Sequence, residues 1–479
     1  MENNHYIKEL ILRFLAADEN AIAYSLYDGV QIRNISYPQF AKDILRASGY
    51  FLENNIHGKH IALLAPNSYH WIVVFFGILC SGNVAVLLNP DLPRETIEQQ
   101  CKQADVSILL KDARLSSVRE NKCSCVTVLD LCGICVEETI SPDTFPVVKP
   151  RDTAVMIFTS GTTGDSKIVE LSFENIQTHI DDIEIPFDTQ VSSAFICLPW
   201  YHIYGITLVF MWLKRLKTIC IGRGLQYSLL EIPILNPSIL SLVPSALESL
   251  VKILKTTKTE QERQTHTGKN LLGISVGGAG SKPEICRYMM HLGIQVMAVY
   301  GMTETTGAGT WCIWNEETIG SIGQNYGRTR CRIENGEILI KGPSVMKGYY
   351  KDPDETAKFN VDGWLHTGDL GYCDENGYFY ITGRKKNVMI LSNGENVNPE
   401  EIEEKLGQCP AFLESLVYND TKGIRADIYT QDHKSAEAFI KAYNESVPKN
   451  RQIYKIQYTD TPLPKTGSGK IKRKENTYV

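Results

Sequence analysis

The chain has 479 residues, of which 43% are hydrophobic and 22% are charged, and its formal net charge is −6. This length is too great for one compact core, so we expect two or more domains. The balanced composition argues against a nucleic-acid-binding surface and against an acidic tail. The N-terminus lacks the basic and apolar regions of a secretory signal, so the 13 cysteines are expected to be reduced thiols in a cytoplasmic protein.

Residues 1–150 alternate helical and strand patterns. A helical period covers residues 40–51, the apolar run 61–65 predicts a strand, and the apolar stretch 71–88 approaches the length of a membrane span. A polar turn at 81–83 interrupts that stretch, so a buried helix, a turn and a strand fit it better. Strands that alternate with helices predict βαβ units in a mostly parallel sheet, with ligands beyond the carboxyl ends of its strands.

Four cysteines form a cluster that invites a zinc interpretation, namely Cys123, Cys125, Cys132 and Cys135. The first pair has C-x-C spacing and the two pairs are close together, whereas structural zinc sites usually show other spacings. We therefore favour free thiols on strands and a turn over a zinc site.

The apolar run 154–158 predicts a strand, and it leads into Thr159-Ser160-Gly161-Thr162-Thr163-Gly164-Asp165-Ser166-Lys167. Glycines let backbone N–H groups approach an anion closely, hydroxyl groups add donors, and the lysine adds a positive charge suited to phosphate. The spacing differs from a Walker A loop, because two residues separate the glycines and Ile168 follows the lysine. Taken alone, a flexible surface loop rich in turn residues is the alternative.

The middle of the chain allows several interpretations. Strand 194–198 leads into an aromatic segment that contains His202, which is either a packed side chain or a catalytic candidate. Segment 255–270 is almost free of apolar residues and predicts a solvated connection. Residues 273–277 match the G-x-S-x-G pattern of serine hydrolases, in which Ser275 would occupy a strand-to-helix elbow. Ser275 lies inside the apolar run, however, so we favour a strand serine beside a glycine-rich turn.

Three later stretches carry polar groups that suit a nucleotide. Strand 294–299 ends in Tyr300-Gly301-Met302-Thr303-Glu304, which offers an aromatic face, a hydroxyl group and a carboxylate for Mg²⁺. Asp369 follows a glycine and could accept two ribose hydroxyl protons, or it could merely close a turn. The composition changes after residues 383–386, and a small α+β region ends in a basic loop whose Lys470 is either a solvated or a catalytic cation.

In order and spacing, these motifs resemble those of the adenylate-forming superfamily of acyl-CoA synthetases, aryl-CoA ligases, non-ribosomal peptide adenylation domains and beetle luciferases. The resemblance covers nearly the whole chain. It implies an α/β fold with a large N-terminal domain of several subdomains with βαβ sheets, residues 1–384, and a small mobile α+β C-terminal lid, residues 385–479, hinged near Lys386. No nucleic-acid partner and no membrane span are expected.

The activity that the resemblance implies is that of an acid–thiol ligase that produces AMP. ATP and Mg²⁺ convert a carboxylic acid to an acyl-adenylate with release of pyrophosphate. The acyl group then passes to a thiol, either that of CoA or that of the phosphopantetheine on an acyl or peptidyl carrier protein.

The resemblance also implies roles for the residues that match its motifs. Catalytic roles fall to Lys470, Thr303, Glu304 and His202, with Glu304 as the metal ligand. Nucleotide contacts fall to Thr159, Ser160, Gly161, Thr162, Thr163, Gly164, Lys167, Gly278, Ala279, Tyr300, Gly301, Asp369 and Arg384. The acyl and thiol pocket falls to Tyr204, Gly205, Ser275, Gly277, Met302 and Gly394.

The sequence predicts the type of reaction but only the broad class of the carboxylic acid substrate. Adenylation domains for amino acids carry an aspartate after an aromatic residue near the position of His202, and its absence here favours a fatty or other apolar acid. Segment 383–398 also looks most like fatty-acid-type ligases. An amino-acid- or aryl-acid-activating enzyme is the alternative, and a serine hydrolase using Ser275 is the alternative from another class. The short N-terminal region and lid leave a carrier protein open as the acceptor.

Overall fold

The computed structural model describes residues 6–112, 126–159, 166–277, 282–391, 396–420, 422–465 and 471–473. Several predicted site residues lie outside these ranges, and their roles remain predictions: Ser160, Gly161, Thr162, Thr163, Gly164, Gly278, Ala279, Gly394 and Lys470. Cys123 and Cys125 lie outside them as well.

Helices and strands alternate through the first part of the chain. In order they are α1 (Tyr6–Leu15), β1 (Ile22–Tyr27), β2 (Ile32–Ser36), α2 (Tyr37–Glu53), β3 (His60–Leu64), α3 (Tyr69–Cys80), β4 (Val84–Leu87), α4 (Arg94–Gln103), β5 (Ile108–Lys111), β6 (Thr127–Asp130), β7 (Thr153–Thr159), β8 (Lys167–Ser172), α5 (Phe173–Asp182), β9 (Ser193–Ile196), α6 (Ile203–Lys214), β10 (Thr218–Ile221), α7 (Ser228–Leu235), β11 (Ile239–Ser241), α8 (Pro244–Leu254), α9 (Glu260–Thr267), β12 (Gly273–Gly277), α10 (Pro283–His291), β13 (Gln295–Tyr300) and β14 (Thr310–Ile313).

Short strands dominate the remainder. In order the elements are β15 (Gln324–Asn325), β16 (Arg330–Glu334), β17 (Glu337–Lys341), β18 (Gly348–Tyr349), α11 (Pro353–Phe359), β19 (Asn360–Val361), β20 (Trp364–Cys373), β21 (Phe379–Arg384), β22 (Met389–Ile390), β23 (Asn396–Val397), α12 (Pro399–Leu406), β24 (Glu414–Asp420), β25 (Gly423–Tyr429), α13 (His433–Ser446) and β26 (Ile453–Thr459).

Two large sheets have parallel centres and antiparallel strands at one or both edges. The first has the strand order β15-β14-β13-β12-β11-β9-β10-β1-β2, parallel from β13 to β1. The second has the order β18-β8-β7-β4-β3-β5-β6, parallel from β7 to β6 and antiparallel at β8 and β18. The smaller sheets have the orders β16-β17-β20-β19, with β21 beside β20, and β24-β25-β26. The predicted α/β fold class is confirmed.

Stretch 71–88 folds as a helix, a turn and a strand, as predicted. Ser68 caps α3, because its side chain accepts a hydrogen bond from the backbone N–H of Trp71. Every residue of the helix from Trp71 to Cys80 is buried, which explains why it is apolar on all sides. Within the described ranges, no helix has the length and hydropathy that a membrane span requires.

The predicted solvated connection over 255–270 is mostly exposed, and it contains the helix α9, which was not predicted. Thr259 and Glu262 form a capping box, in which each side chain bonds the backbone N–H of the other residue. Thr267 is the one buried residue of this helix. Capping and intrinsic helix propensity therefore specify α9 without the apolar periodicity on which the prediction relied.

The chain forms two compact units, Met1–Cys331 with Ile340–Leu365, and Arg332–Leu339 with His366–Val479. In the first unit, α2, α3 and α6 contribute aromatic side chains to a core shared with strands of both large sheets, including the fully buried Phe40, Phe76 and Trp212. The second unit has its own core under α12 and α13, including Leu406 and Ile428. The predicted boundary at residue 384 and the hinge at Lys386 remain predictions.

Candidate active site

The two ends of the predicted phosphate loop lie opposite each other. Thr159 ends β7 and pairs with Lys167, which begins the antiparallel strand β8. Because β7 runs parallel to β4, the loop follows the carboxyl end of a strand in the parallel part of the sheet. This is the position at which open α/β sheets bind ligands.

The Lys167 side chain is held by residues from α11 and β18. Its ammonium group forms an ion pair with Glu355 and lies 4.6 Å from the ring centre of Phe359 and 5.2 Å from that of Tyr349. Hydrogen bonds from Lys167 and from Lys358 hold the pKa of Glu355 below its usual range. Glu355, Phe359 and Tyr349 were not predicted as partners of Lys167, because they lie far along the chain from the loop and no motif connects them to it.

Glu304 lies beside Tyr349, the tyrosine that Lys167 also contacts. It is in a short 3₁₀ turn, Thr303–Thr305, just after β13, and its side chain is 7% exposed. Its Oε1 accepts a hydrogen bond of 2.9 Å from the hydroxyl group of Tyr349. The structure therefore brings Lys167 and Glu304 together, one over the ring of Tyr349 and one at its hydroxyl group. A buried carboxylate, with the hydroxyl-bearing Thr303 before it in the chain, offers hard oxygen donors, which fit Mg²⁺.

The turn that carries Glu304 requires glycine at position 301. A Cβ atom on Gly301 would lie 2.2 Å from the carbonyl oxygen of Gly307, so no other residue fits without moving the backbone. Tyr300, which precedes it, ends β13 and is buried.

Asp369 and Arg384 face each other in the second unit. They are partners in the antiparallel register of β20 and β21, and Arg384 Nε lies 2.5 Å from Asp369 Oδ1. Asp369 is buried inside β20, so the alternative that it merely closes a turn is wrong. Lys386 follows in a short 3₁₀ turn, Lys385–Asn387.

Glu337 accepts a hydrogen bond from the backbone N–H of Gly368, the residue before Asp369. Burial raises the pKa of Glu337, but hydrogen bonds from Lys385, His366 and the Gly368 N–H outweigh burial and lower it overall. Gly368 has a φ of +70°, a conformation that favours glycine. This role of Glu337 was not predicted from the sequence, because the residue lies 32 positions before Asp369 and in no motif.

A mostly apolar cavity of about 30 Å³ lies in the first unit. Its lining residues are His179, Ile183, Ile185, Tyr204, Thr207, Leu208, Met211, Ser275, Met297, Val299, Trp311 and Tyr326. Tyr204 and Ser275 were predicted for the acyl pocket, and their hydroxyl oxygens are 2.5 Å apart. Gly277 adjoins them, because a Cβ atom there would lie 3.0 Å from Cζ of Tyr204.

Three other predicted residues do not line this cavity. Gly205 packs on the carbonyl group of Pro199. A Cβ atom on Gly205 would lie 2.3 Å from that carbonyl oxygen. Met302 is half-buried beside the apolar core. His202 occupies the N-cap position of α6, with its ring 4.7 Å from that of Tyr201.

Ser275 does not occupy a hydrolase-type elbow. It pairs with Ser241 on one side and Met297 on the other, in the middle of parallel strands, and it is buried. Its hydroxyl group is hydrogen-bonded to Tyr204, not to a histidine. The geometry therefore gives no support to Ser275 as a nucleophile.

The described cysteines of the cluster, Cys132 and Cys135, are exposed. Across the described ranges, no group of three or more histidine, cysteine and acidic side chains is placed to hold a metal ion together.

His179 is a buried residue that the sequence analysis missed. It lies on α5, whose buried positions Phe173, Ile176 and Ile180 have the helical period that could have placed it in the core. Burial lowers its pKa to about 4 from the ordinary value of 6.5. Its Nδ1 is 3.1 Å from the hydroxyl oxygen of Tyr326.

His179 is expected to make the stability of the first unit depend on pH. Below pH 6.5 the unfolded chain gains a proton that the folded chain does not bind until about pH 4, so stability is lost as the pH falls between these values. A His179→Leu variant removes this term. From urea unfolding, the stability of the wild type relative to this variant should fall by about 2 kcal/mol between pH 7 and pH 4.5. The same change at the exposed His70 should produce no such trend, and a flat difference for His179 would contradict the expectation.

The model of the AMP-binding enzyme family matches residues 14–350. The long-chain-fatty-acid–CoA ligase of Bacillus subtilis (strain 168) is 26% identical to the chain, over 92% of this chain and 89% of that protein. The 2-succinylbenzoate–CoA ligase of Bacillus cytotoxicus is 29% identical, over 87% of this chain and 88% of that protein.

Solved structures share the fold. The O-succinylbenzoate coenzyme A synthetase (MenE) of Bacillus subtilis in complex with ATP and magnesium ion has a TM-score of 0.82 at 24% identity, covering 96% of this chain and 98% of that one. The fatty acyl CoA synthetase of Mycobacterium tuberculosis has a TM-score of 0.72 at 21% identity, covering 97% and 96%. The chain therefore belongs to the family of AMP-binding enzymes, and the prediction of an adenylate-forming ligase of this superfamily is confirmed.

Proposed function

We propose that this enzyme uses ATP and Mg²⁺ to activate an apolar monocarboxylic acid and then transfers the acyl group to the thiol of CoA. The observation that carries the proposal is the arrangement around Tyr349, where a cation for departing phosphates lies near a buried carboxylate for a metal ion. Two relatives named as CoA ligases support CoA over a carrier protein as the acceptor. The ATP and magnesium ion in the B. subtilis MenE structure support the same pair here.

In the first half-reaction, a carboxylate oxygen attacks the α-phosphorus of ATP and pyrophosphate leaves. No general base is needed, since the nucleophile is already an anion, and catalysis depends on positioning and on positive charge. Glu304 and Thr303 would hold Mg²⁺, which supplies positive charge beside the phosphates when it is bound. Lys167 would neutralise the departing pyrophosphate, and Lys470 would contact the carboxylate and the α-phosphate. Asp369 would accept hydrogen bonds from the ribose hydroxyl groups.

In the second half-reaction, the thiol attacks the acyl carbon of the mixed anhydride. A carbon–sulfur bond forms, and AMP leaves with the electrons of the broken carbon–oxygen bond. A lysine in contact with the carboxylate and the α-phosphate would block an incoming thiol, so we propose that the C-terminal lid, with Lys470, withdraws about Lys386 between the steps.

The cavity supports an acid without a second charge. No lysine or arginine is among the described residues that line it, and burial keeps His179 neutral at physiological pH. The second carboxylate of succinylbenzoate would therefore be buried without a counter-ion, which is costly. Apolar side chains such as Ile183, Leu208 and Met297 suit an alkyl or aryl chain instead, and they must move apart to admit one, because the space between them is about 30 Å³.

A pyrophosphate-release screen with fatty, aryl, amino and dicarboxylic acids tests this proposal. Each acid is supplied with ATP and Mg²⁺, first alone with hydroxylamine to trap the adenylate, then with CoA or a holo carrier protein. We expect release with apolar monocarboxylic acids and a thioester with CoA. Release only with amino acids or dicarboxylic acids would overturn the proposed substrate class. Labelling of Ser275 by a fluorophosphonate, with ester cleavage in the absence of ATP, would favour the hydrolase alternative.

Glu355 is expected to compete with ATP for Lys167. Because the two side chains form an ion pair, phosphate oxygens must replace the carboxylate before Lys167 can serve the nucleotide. Glu355→Gln should therefore lower the KM for ATP by about fivefold, the effect of an ion pair worth about 1 kcal/mol. Lys167→Met should raise it by about tenfold. The neighbouring exposed acid in Asp354→Asn provides a control with the same charge change, and a raised KM in Glu355→Gln would show that Glu355 positions Lys167 productively instead.

A further inference from the structure

The cavity contains a histidine whose hydrogen-bonding state can be worked out from its neighbours. Two polar pairs line this otherwise apolar space. Tyr204 and Ser275 bond each other, and His179 contacts Tyr326 through Nδ1 at 3.1 Å. The second pair decides what the cavity offers to a ligand.

The Tyr326 hydroxyl group donates to His179. The hydroxyl group has one hydrogen to donate, and its oxygen lies 3.1 Å from Nδ1 of His179. Among the described residues, His179 Nδ1 is the acceptor within reach of that hydrogen. A buried hydroxyl hydrogen without an acceptor would be costly, so Nδ1 accepts and the neutral ring carries its hydrogen on Nε2.

The Nε2–H group of His179 is then a donor inside the acyl cavity. The side chain is 4% exposed, and within the described ranges no acceptor for Nε2 is found. Nε2 lies near Gly307, which has no side chain, at 3.8 Å from where a Cβ atom would be. Thr207 is also nearby, but its hydrogen bonds in the structure go to the carbonyl oxygens of Ile203 and Tyr204, at 2.7 and 3.2 Å, and not to Nε2.

A ligand atom that meets this donor must be a neutral oxygen. An ionised group is disfavoured, because the lining residues include no cation and the ring is held neutral by burial. A plain alkyl chain would cover the N–H group without accepting its hydrogen bond, and a buried donor without an acceptor costs free energy.

We propose that the preferred substrate is an apolar monocarboxylic acid whose chain carries an oxo or hydroxyl oxygen, which accepts a hydrogen bond from Nε2–H of His179. The inference rests on the proposed function, since it names the substrate class of the same pocket. His179 acts here as a specificity determinant, and Tyr326 positions it by fixing its tautomer.

A series of matched acids tests this inference in the full-length enzyme. Straight-chain alkanoic acids are compared with oxo and hydroxy acids of equal length, with the oxygen at successive positions, by kcat/KM for pyrophosphate release. We expect one position of the oxygen to raise kcat/KM by about tenfold over the matched alkanoic acid, as for one buried hydrogen bond. If no oxygenated acid exceeds its alkanoic partner, the inference is wrong. If no acid of either kind releases pyrophosphate, the proposed function fails instead.

Two variants connect the preference to the histidine. His179→Leu should abolish the preference and favour the alkanoic acid. Tyr326→Phe keeps the shape of the ring but removes the hydroxyl group that fixes the tautomer of His179, so it should reduce the preference. His70→Leu, an exposed histidine, should leave the ratio unchanged. An unchanged ratio in both His179→Leu and Tyr326→Phe would overturn the assignment, and Tyr326→Phe keeps the test decisive if His179→Leu fails to fold.

Discussion

Replacement of Glu304 by glutamine is expected to lower the rate of pyrophosphate release by about 10²–10³-fold. Glutamine keeps the size of the side chain and an oxygen that can accept the hydrogen bond from Tyr349. It removes the negative charge, and a neutral amide is a much weaker ligand for Mg²⁺ than a carboxylate. Rates measured over a range of Mg²⁺ concentrations should show the loss, with little change in thermal stability because the buried hydrogen bond is retained.

The control for this variant is Tyr349→Phe. It removes the hydroxyl group that bonds Glu304 Oε1 but leaves the carboxylate in place, so a reduction of about tenfold or less is expected. Equal losses in the two variants would assign Glu304 to positioning of the turn. A Glu304→Gln enzyme with the wild-type rate at low Mg²⁺ would exclude Glu304 as the metal ligand.

The sequence predicted the parts of this site that depend on local chemistry. Glu304 and the hydroxyl-rich loop each follow a strand, and a short apolar run followed by polar residues is enough to place them at a strand end. The alternation of strands and helices in the first 150 residues likewise predicted a mostly parallel sheet. These inferences need only residues that are neighbours in the chain.

The partners of these residues could not be predicted in the same way. Tyr349 meets Glu304 from 45 residues away, and Tyr326 meets His179 from 147 residues away. Such pairs depend on how strands are ordered across a sheet, and no single-sequence pattern encodes that order. The antiparallel pairing of β8 and β18, which delivers Tyr349 to the loop side of β7, is an example.

The flanks of the Lys470 segment are anchored in the second unit. Lys465 and Ile471 form an antiparallel bridge, and the Lys472 N–H donates to the Pro464 carbonyl oxygen at 2.8 Å. Arg473 then pairs with Glu403 on α12, with Nη2 2.7 Å from Oε2. The stretch that carries Lys470 thus begins and ends at fixed points of this unit, so a movement of the unit as a body would carry the lysine with it.

Lys470→Ala is accordingly expected to lower the rate of acyl-adenylate formation by about 10²–10³-fold while ATP binding is largely kept, because the lysine is proposed to act on the charge that develops in the transition state. Thioester formation from a supplied acyl-adenylate should continue near the wild-type rate, since the lysine is proposed to leave before the thiol enters. Lys472→Ala removes the same charge two residues away from an exposed position and should retain both half-reactions. Wild-type adenylation by Lys470→Ala would refute the role of this lysine. Equal loss of both half-reactions would instead mean that the anchored segment serves the structure of the second unit, and that no movement of Lys470 separates the two steps.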